Sequence, residues 1–260
     1  MNPLTRIPWI HYALFLLVPS LALFALAYAS NDCFQYRSLP GIIDIAVSPS
    51  DGDPSFSEGD IITELDRHIG INHYQCVDDL LVVSVGHHIE IHRIGLGGKF
   101  ERLSSLFIRM SNFDIEGDYL YGMSSTSIIV CDISDPYHPV VLASTPYTGI
   151  ATNDIMALHG ILYCAVGNGL TIIDATDPYR PSEISHTYQA SYSTHIDIVQ
   201  TTAFVSCQGV GLRLYDVSDP AYPISNGYIP TRGTTIRTHR INDLLYVLNQ
   251  STTMEFIDVS

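Results

Sequence analysis

The chain has 260 residues, 46% of them apolar, and a formal net charge of −15 set by 27 acidic against 12 basic side chains. Lys99 is its only lysine, which argues against nucleic acid as a partner, since that affinity comes from neutralising phosphates with Lys and Arg. The same acidity argues against anionic membrane surfaces and suits a soluble body.

The chain opens with Arg6 as a short basic start, then Tyr12 to Leu26, apolar apart from Pro19 and Ser20, then Ala27-Tyr28-Ala29. A basic start, an apolar run and an A-x-A pattern predict a secretory signal peptide over residues 1–29, helical in its apolar part. Trp9 to Ala29 is also long enough to span a bilayer as an uncleaved anchor. Pro19 near its middle and the small residues at its end favour cleavage. The mature chain is therefore expected to be secreted, periplasmic or at the cell surface, with no integral membrane body once the leader is removed.

Residues 30–70 form an N-terminal segment whose Gly41–Val47 and Asp60–Leu65 stretches are strand-like but make no full unit. Between them, Asp51, Asp53, Ser55 and Ser57 alternate oxygens in the manner of a calcium loop. Phe56 and Ile62 occupy the positions where such a loop needs Gly and Glu, so a plain acidic surface loop is the better reading. The five cysteines, Cys33, Cys76, Cys131, Cys164 and Cys207, include no C-x-x-C pair, and their odd number leaves at least one outside any internal disulfide. Cys131, Cys164 and Cys207 lie inside apolar runs and read as small buried hydrophobes.

From residue 71 to 260 a period takes over. Asp132, Asp174, Asp216 and Asp258 stand 42 residues apart, each closing an apolar run such as Leu170-Thr-Ile-Ile173. Three of them open the same turn: Asp132-Ile-Ser-Asp135-Pro136, Asp174-Ala-Thr-Asp177-Pro178 and Asp216-Val-Ser-Asp219-Pro220, each with a second proline three residues on. A fixed period of this size means a stacked or radial repeat. Within the unit from Asp154 to Ala190, four segments of about five residues are separated by His159-Gly160, Gly167-Asn168-Gly169 and the Asp-Pro turn. Segments this short read as strands, and Gly167-Asn168-Gly169 is expected to supply the positive φ values of a tight hairpin. The fold class is thus all-β: a β-propeller of about five to six four-stranded antiparallel blades, after the signal-peptide helix.

The other copies align without a gap when Tyr119, Ala203 and Leu245 are set against Ile161. Leu80 begins the first full copy, which is degenerate: Arg93 stands where the Asp belongs, and Gly95-Leu-Gly-Gly-Lys99 replaces the Asp-Pro turn. The chain ends at Asp258-Val-Ser260, where a further turn would begin. Either the N-terminal strands complete the closing blade, or the array is longer.

The Tyr-rich strand, the Gly turn, the L-x-I-x-D strand and the D-P-x-x-P turn resemble the bacterial LVIVD-repeat proteins over about residues 76–260, with Asp174-Ala-Thr-Asp177-Pro178 and Asp216-Val-Ser-Asp219-Pro220 the closest matches. The resemblance implies a β-propeller-like domain on an exported or cell-surface protein. It implies no catalytic residues.

Three groups of residues could carry chemistry. His88, Glu90 and His92 share one face of a strand and are a workable zinc or copper set. Their spacing of nearly 7 Å per step along a strand argues against convergence and for a plain polar face. A column eight residues before Leu80, Tyr119, Ile161, Ala203 and Leu245 holds Asn72, Ser111, Asn153, His195 and Arg237, all polar. In a propeller the first strand lines the axis, so Asn153, His195 and Arg237 are the expected ligand-binding residues at one channel mouth. Asn249-Gln250-Ser251 is a glycosylation sequon if the host is eukaryotic. No catalytic residue, metal ligand or cofactor is assigned. The expected function is a non-catalytic, exported binding scaffold whose partner is a cell-surface protein or glycan; the alternative is a secreted propeller hydrolase or lyase with a metal-assisted site at the mouth.

Overall fold

The computed structural model describes residues 13–18, 21–26, 71–95, 100–110, 112–124, 127–146, 152–241, 244–249 and 254–258. Every regular element among them is a strand. Near the N-terminus, β1 (Ala13–Val18) and β2 (Leu21–Leu26) pair antiparallel, with Val18 opposite Leu21. The helix expected there is therefore corrected to a hairpin over these residues. Pro19, lying between the two halves, has no N–H to donate and clashes with a continuous helix. Gly41–Val47, Asp60–Leu65 and the acidic stretch from Asp51 to Ser57 lie outside the described residues.

The repeats form five sheets in chain order. Blade one is β3 (Ile71–Val77), β4 (Leu80–Val85), β5 (His88–Ile94) and β6 (Phe100–Leu106). Blade two is β7 (Asn112–Glu116), β8 (Tyr119–Met123), β9 (Ser127–Asp132) and β10 (Val140–Pro146). Blade three is β11 (Thr152–Leu158), β12 (Ile161–Val166), β13 (Gly169–Asp174) and β14 (Ser182–Tyr188). Blade four is β15 (Ser193–Val199), β16 (Thr202–Cys207), β17 (Gly211–Asp216) and β18 (Ile224–Ile229). Blade five has three described strands, β19 (Thr235–Ile241), β20 (Leu244–Asn249) and β21 (Met254–Asp258). Each blade is a simple antiparallel meander, and its first strand lies against the first strand of the next. That is the layout of a propeller, with first strands innermost and fourth strands outermost.

The second and third strands read as continuous apolar runs because both of their faces are covered. Val82, Ile89 and Ile91 of blade one pack with Leu120, Ile129 and Cys131 of blade two. Tyr121, Ile128 and Val130 of blade two then meet Leu162, Cys164 and Ile173 of blade three. Leu170 and Ile172 carry the same contact to Ala203, Val205 and Tyr215 of blade four, and Phe204 and Leu212 carry it to Leu245 and Val247 of blade five. Outer strands have only one neighbour in their sheet, and β18 is exposed along nearly its whole length.

Positive φ falls at the turn between first and second strands, at His159 (54°) and Gly160 (73°), and not at Gly167-Asn168-Gly169 as the sequence suggests. Gly169 is needed for a different reason: a Cβ there would collide with the Thr187 carbonyl oxygen, 1.8 Å away on the outer strand.

The Asp-Pro turns are built alike. Asp174 Oδ1 accepts hydrogen bonds from Thr176 N (2.9 Å) and Thr176 Oγ1 (2.6 Å), and Asp132 does the same with Ser134. Asp177 Oδ1 accepts from Tyr179 N at 3.0 Å, as Asp135 and Asp219 do two residues on in their own turns. The turn also reaches backward: Ser104 Oγ of β6 donates to the Pro136 carbonyl, and Ser185 Oγ of β14 to that of Pro220, both at 2.7 Å. Each such bond joins an outer strand to the turn of the following blade. Arg93, in place of the Asp in blade one, takes up this bridging role by donating to Tyr137 Oη at 2.8 Å while paired with Asp79 at 3.3 Å.

Hydrogen bonds from Ser134, Thr176 and Ser218 hold Asp132, Asp174 and Asp216 below the usual carboxylate range. A lowered folded-state pKa contributes stability above the ordinary carboxylate pKa, and that contribution is lost as pH falls through the lowered value. Replacing Asp174 with Ala is expected to cost about 0.5–1 kcal/mol at neutral pH, the turn being exposed. In urea titrations the gap between the two proteins should close as pH drops into the acid range.

Candidate functional site

The inner strands carry the polar groups that the sequence singled out, but in a register shifted by one residue in two blades. Val199 pairs with Thr202 and Ile241 with Leu244, so Thr202 and Leu244 are the equivalents of Ile161. The cause is the turn between the second and third strands, three residues in blade four (208–210) against two in blade three (167–168). Counting back from the fixed Asp without a gap therefore slips the first strand by one position. Thr194 and Ile236 are the true partners of Asn153, and His195 and Arg237 belong with His73, Asn112 and Asp154. A one-residue shift sends side chains to the opposite face of a strand.

His195 is 5% exposed and lies between blades. Its Nδ1 contacts the Asp154 carboxylate of blade three, and its Nε2 faces the Thr238 carbonyl of blade five at 2.9 Å. A carbonyl only accepts, so Nε2 is the donor in that contact. Asp154 further accepts from Asn112 Nδ2 and from Ile196 N, both at 3.1 Å. Four blades thus meet on one carboxylate–imidazole pair. Asp114 repeats the arrangement one blade earlier, accepting from Gln75 Nε2 (2.9 Å) and Ala157 N (2.7 Å). At the far end of the same strand, the Glu116 carboxylate accepts from His159 N and Gly160 N, capping the next blade's turn.

Asn153 sits at a bulge near the start of β11, half-buried. It donates to the Ser193 carbonyl at 2.6 Å and accepts from the Tyr192 hydroxyl at 3.0 Å. Arg237 is half-buried on β19. The structure therefore keeps Asn153 at the rim beside exposed Tyr192 and places His195 beneath it, inside the blade contacts.

Glu90 and His92 are both buried, and their side chains converge: His92 Nε2 lies 3.0 Å from Glu90 Oε2. The divergence expected from strand spacing does not occur, because two long side chains lean toward each other along the strand. Arg102 reaches the other Glu90 oxygen at 3.5 Å. His88 is separate, exposed and edge-on to Phe107 with ring centroids 4.9 Å apart. Among the described residues no three His, Cys, Asp or Glu side chains are grouped to hold a metal ion. Cys76, Cys131, Cys164 and Cys207 are buried free thiols; burial pushes the Cys131 thiol up to about 12 and that of Cys164 up as well, so neither is a ready nucleophile.

Three stretches, residues 110–145, 149–188 and 196–231, each match the LVIVD repeat. The central blades are LVIVD repeats, arranged as a propeller-like array. The fold is similar to a functionally unknown protein from Desulfotomaculum acetoxidans DSM 771, with TM-score 0.64 and 13% identity over 78% of this chain and 74% of that one. It is also similar to the computationally designed Ika8 protein (TM-score 0.53, 7% identity, 94% and 82% covered) and to Saccharomyces cerevisiae Sqt1 (0.54, 13%, 71% and 56%). At these identities the likeness is one of fold. No curated protein matches the sequence.

Replacing His195 with Ala strands the Asp154 carboxylate in a buried site. The expected loss is about 3–5 kcal/mol of stability, read as a lower urea midpoint. The Asn153→Ala variant, cut at a half-exposed rim, should lose about 1 kcal/mol.

Proposed function

We propose that this protein is an exported, non-catalytic scaffold that binds a cell-surface protein or glycan through the rim where the inner strands begin. One observation carries the reading: the buried polar groups of the inner strands are engaged in blade-to-blade hydrogen bonds, while the rim above them exposes aromatic side chains. Phe107, Tyr188, Tyr192 and Tyr228 are 80%, 81%, 48% and 60% exposed, and all stand at the ends of outer strands or in the connections from them to the next inner strand. Tyr137, Tyr179 and Tyr222 are exposed in the Asp-Pro turns at the other end, where they recur with the repeat, whereas the rim aromatics differ from blade to blade, as residues of an interaction surface do. Asn153 adds an amide to the same rim, while Arg237, half-buried in the register position of His195, lies with it beneath. The order of Arg6, the apolar run and Ala27-Tyr28-Ala29 supports export.

The metal-assisted hydrolase alternative draws on the Glu90–His92 pair, which would need further ligands. The two readings separate by mutation. Once a glycan or protein is recovered by array screening, Tyr192→Ala should weaken binding by about 1–3 kcal/mol with the melting temperature unchanged. Glu90→Ala should leave binding intact. Loss of binding on chelation, or with Glu90→Ala alone, would favour the metal-dependent reading.

A further inference from the structure

The connection from blade three to blade four carries two exposed tyrosines that are held in place. Tyr188, at the end of β14, is 81% exposed. The His186 imidazole lies edge-on to its ring with centroids 4.2 Å apart, and His186 is itself fixed through Nδ1 on Thr171 Oγ1 at 2.7 Å. Tyr192 is 48% exposed, and its hydroxyl donates to Asn153 Oδ1 at 3.0 Å. Between them, Gln189 Nε2 donates to Ser193 Oγ and Gln189 Oε1 accepts from Tyr215 Oη at 2.9 Å, which anchors the connection to blade four. Gln189 N donates to the Asn168 carbonyl at 2.8 Å, so the turn at 167–168 lies against the same connection. Three polar atoms here are buried with no hydrogen-bond partner among the described residues: His186 Nε2, Asn168 Oδ1 and Ser191 Oγ. A buried group left in this state costs about 1–3 kcal/mol. The segments 166–171 and 186–194 contain no Asp, Glu, Lys or Arg. Burial pushes the His186 imidazole below its usual range, so it adds no charge at neutral pH. Arg232 and Glu255, whose carboxylate accepts from Arg232 N at 2.7 Å, stand one blade further on.

Resting on the binding-scaffold reading, we propose that this part of the rim is a subsite for an uncharged sugar ring. Tyr188 is the platform: an exposed aromatic ring offers a flat amphipathic surface to the C–H face of a sugar. Its support by His186, like that of Tyr192 by Asn153, fixes the rings before a ligand arrives and lowers the entropy lost on binding. The unpartnered atoms ask for a ligand that both donates and accepts, since Asn168 Oδ1 only accepts while Ser191 Oγ does either. Sugar hydroxyls do both, directly or through a bridging water. A carboxylate or phosphate would find no cation in these segments, and a basic side chain no anion. An anchor residue of a protein partner is held in a packed, desolvated pocket, whereas this subsite sets rings among hydroxyls and amides.

The test measures binding of the purified protein to immobilised neutral polysaccharides (a β-glucan, a galactan, a mannan and chitin), with polygalacturonate as the charged probe and an array of envelope proteins alongside. The proposal expects binding to at least one neutral polysaccharide that persists as salt is raised, is competed by its own oligosaccharides and falls about tenfold or more in Tyr188→Ala. Tyr188→Trp should retain binding, because the ring and not the hydroxyl is the platform. Tyr179→Ala, in the Asp-Pro turn at the opposite end of the same blade, should bind as the wild type does. Melting temperatures of all variants separate lost binding from lost folding. Binding of polygalacturonate alone, lost as salt rises, overturns the uncharged class. Neutral binding untouched by both Tyr188→Ala and Tyr192→Ala overturns the placement. Capture of an envelope protein through Tyr192, with no polysaccharide bound, overturns the sugar and leaves the scaffold reading standing; capture of nothing overturns both.

Discussion

A blade of this protein has two apolar faces and can bury neither by itself. Val130 on one side of β9 and Cys131 on the other are both fully buried, one against blade three and one against blade one. The same holds for Ile172 and Ile173 on β13. Stability therefore resides in the contacts between repeats, each of which contributes to its neighbours what it cannot supply to itself. Everything else in the structure follows from the need to set these sheets at a fixed separation and angle.

Apolar contact is tolerant of small slides, and the inner strands add polar contacts that are not. Asp114, Asp154 and Glu116 each accept hydrogen bonds from backbone amides of the following blade, at a sequence separation of about one repeat. A backbone N–H stands at one place along a strand, so such a bond sets register as well as distance. His195 extends the chain of contacts to a backbone carbonyl in blade five. The outer side has its own ties in Ser104 and Ser185, which hold the next Asp-Pro turn. Ala143 occupies the equivalent place in β10 and has no hydroxyl to donate, so this tie is a feature of some repeats rather than all.

This economy has a functional consequence. With carboxylates and imidazole engaged inside the blade contacts, the described surface available to a partner is that of the loops and outer strands. The Asp-Pro turns are exposed, but their aspartates are bonded within the turn and their repetition serves geometry. The rim at the other end is also held by internal hydrogen bonds, such as Gln189 to Ser193 and Thr231 to Thr235, but its aromatic side chains Phe107, Tyr188, Tyr192 and Tyr228 are exposed to solvent. Loops carried on a rigid stack are where binding residues are free to vary without loss of fold.

Much of the architecture was legible from sequence alone: strands rather than helices, four to a blade, a turn repeated in three copies, and buried cysteines. These depend on local chemistry, where Asp-Pro, Gly and short apolar runs act within a few residues. The candidate site was half legible. Asn153 lies at the rim as its position implies, whereas His195 does not, because a single extra residue in the turn at 208–210 changes which side chain faces the rim. The Asp154–His195 pair, the convergence of Glu90 with His92 and the hairpin at Ala13–Leu26 were also beyond sequence reading. The period of the chain determines which residues recur; only the packing of one sheet on another decides which of two adjacent recurring residues meets a neighbour, because a strand offers alternate side chains to opposite faces.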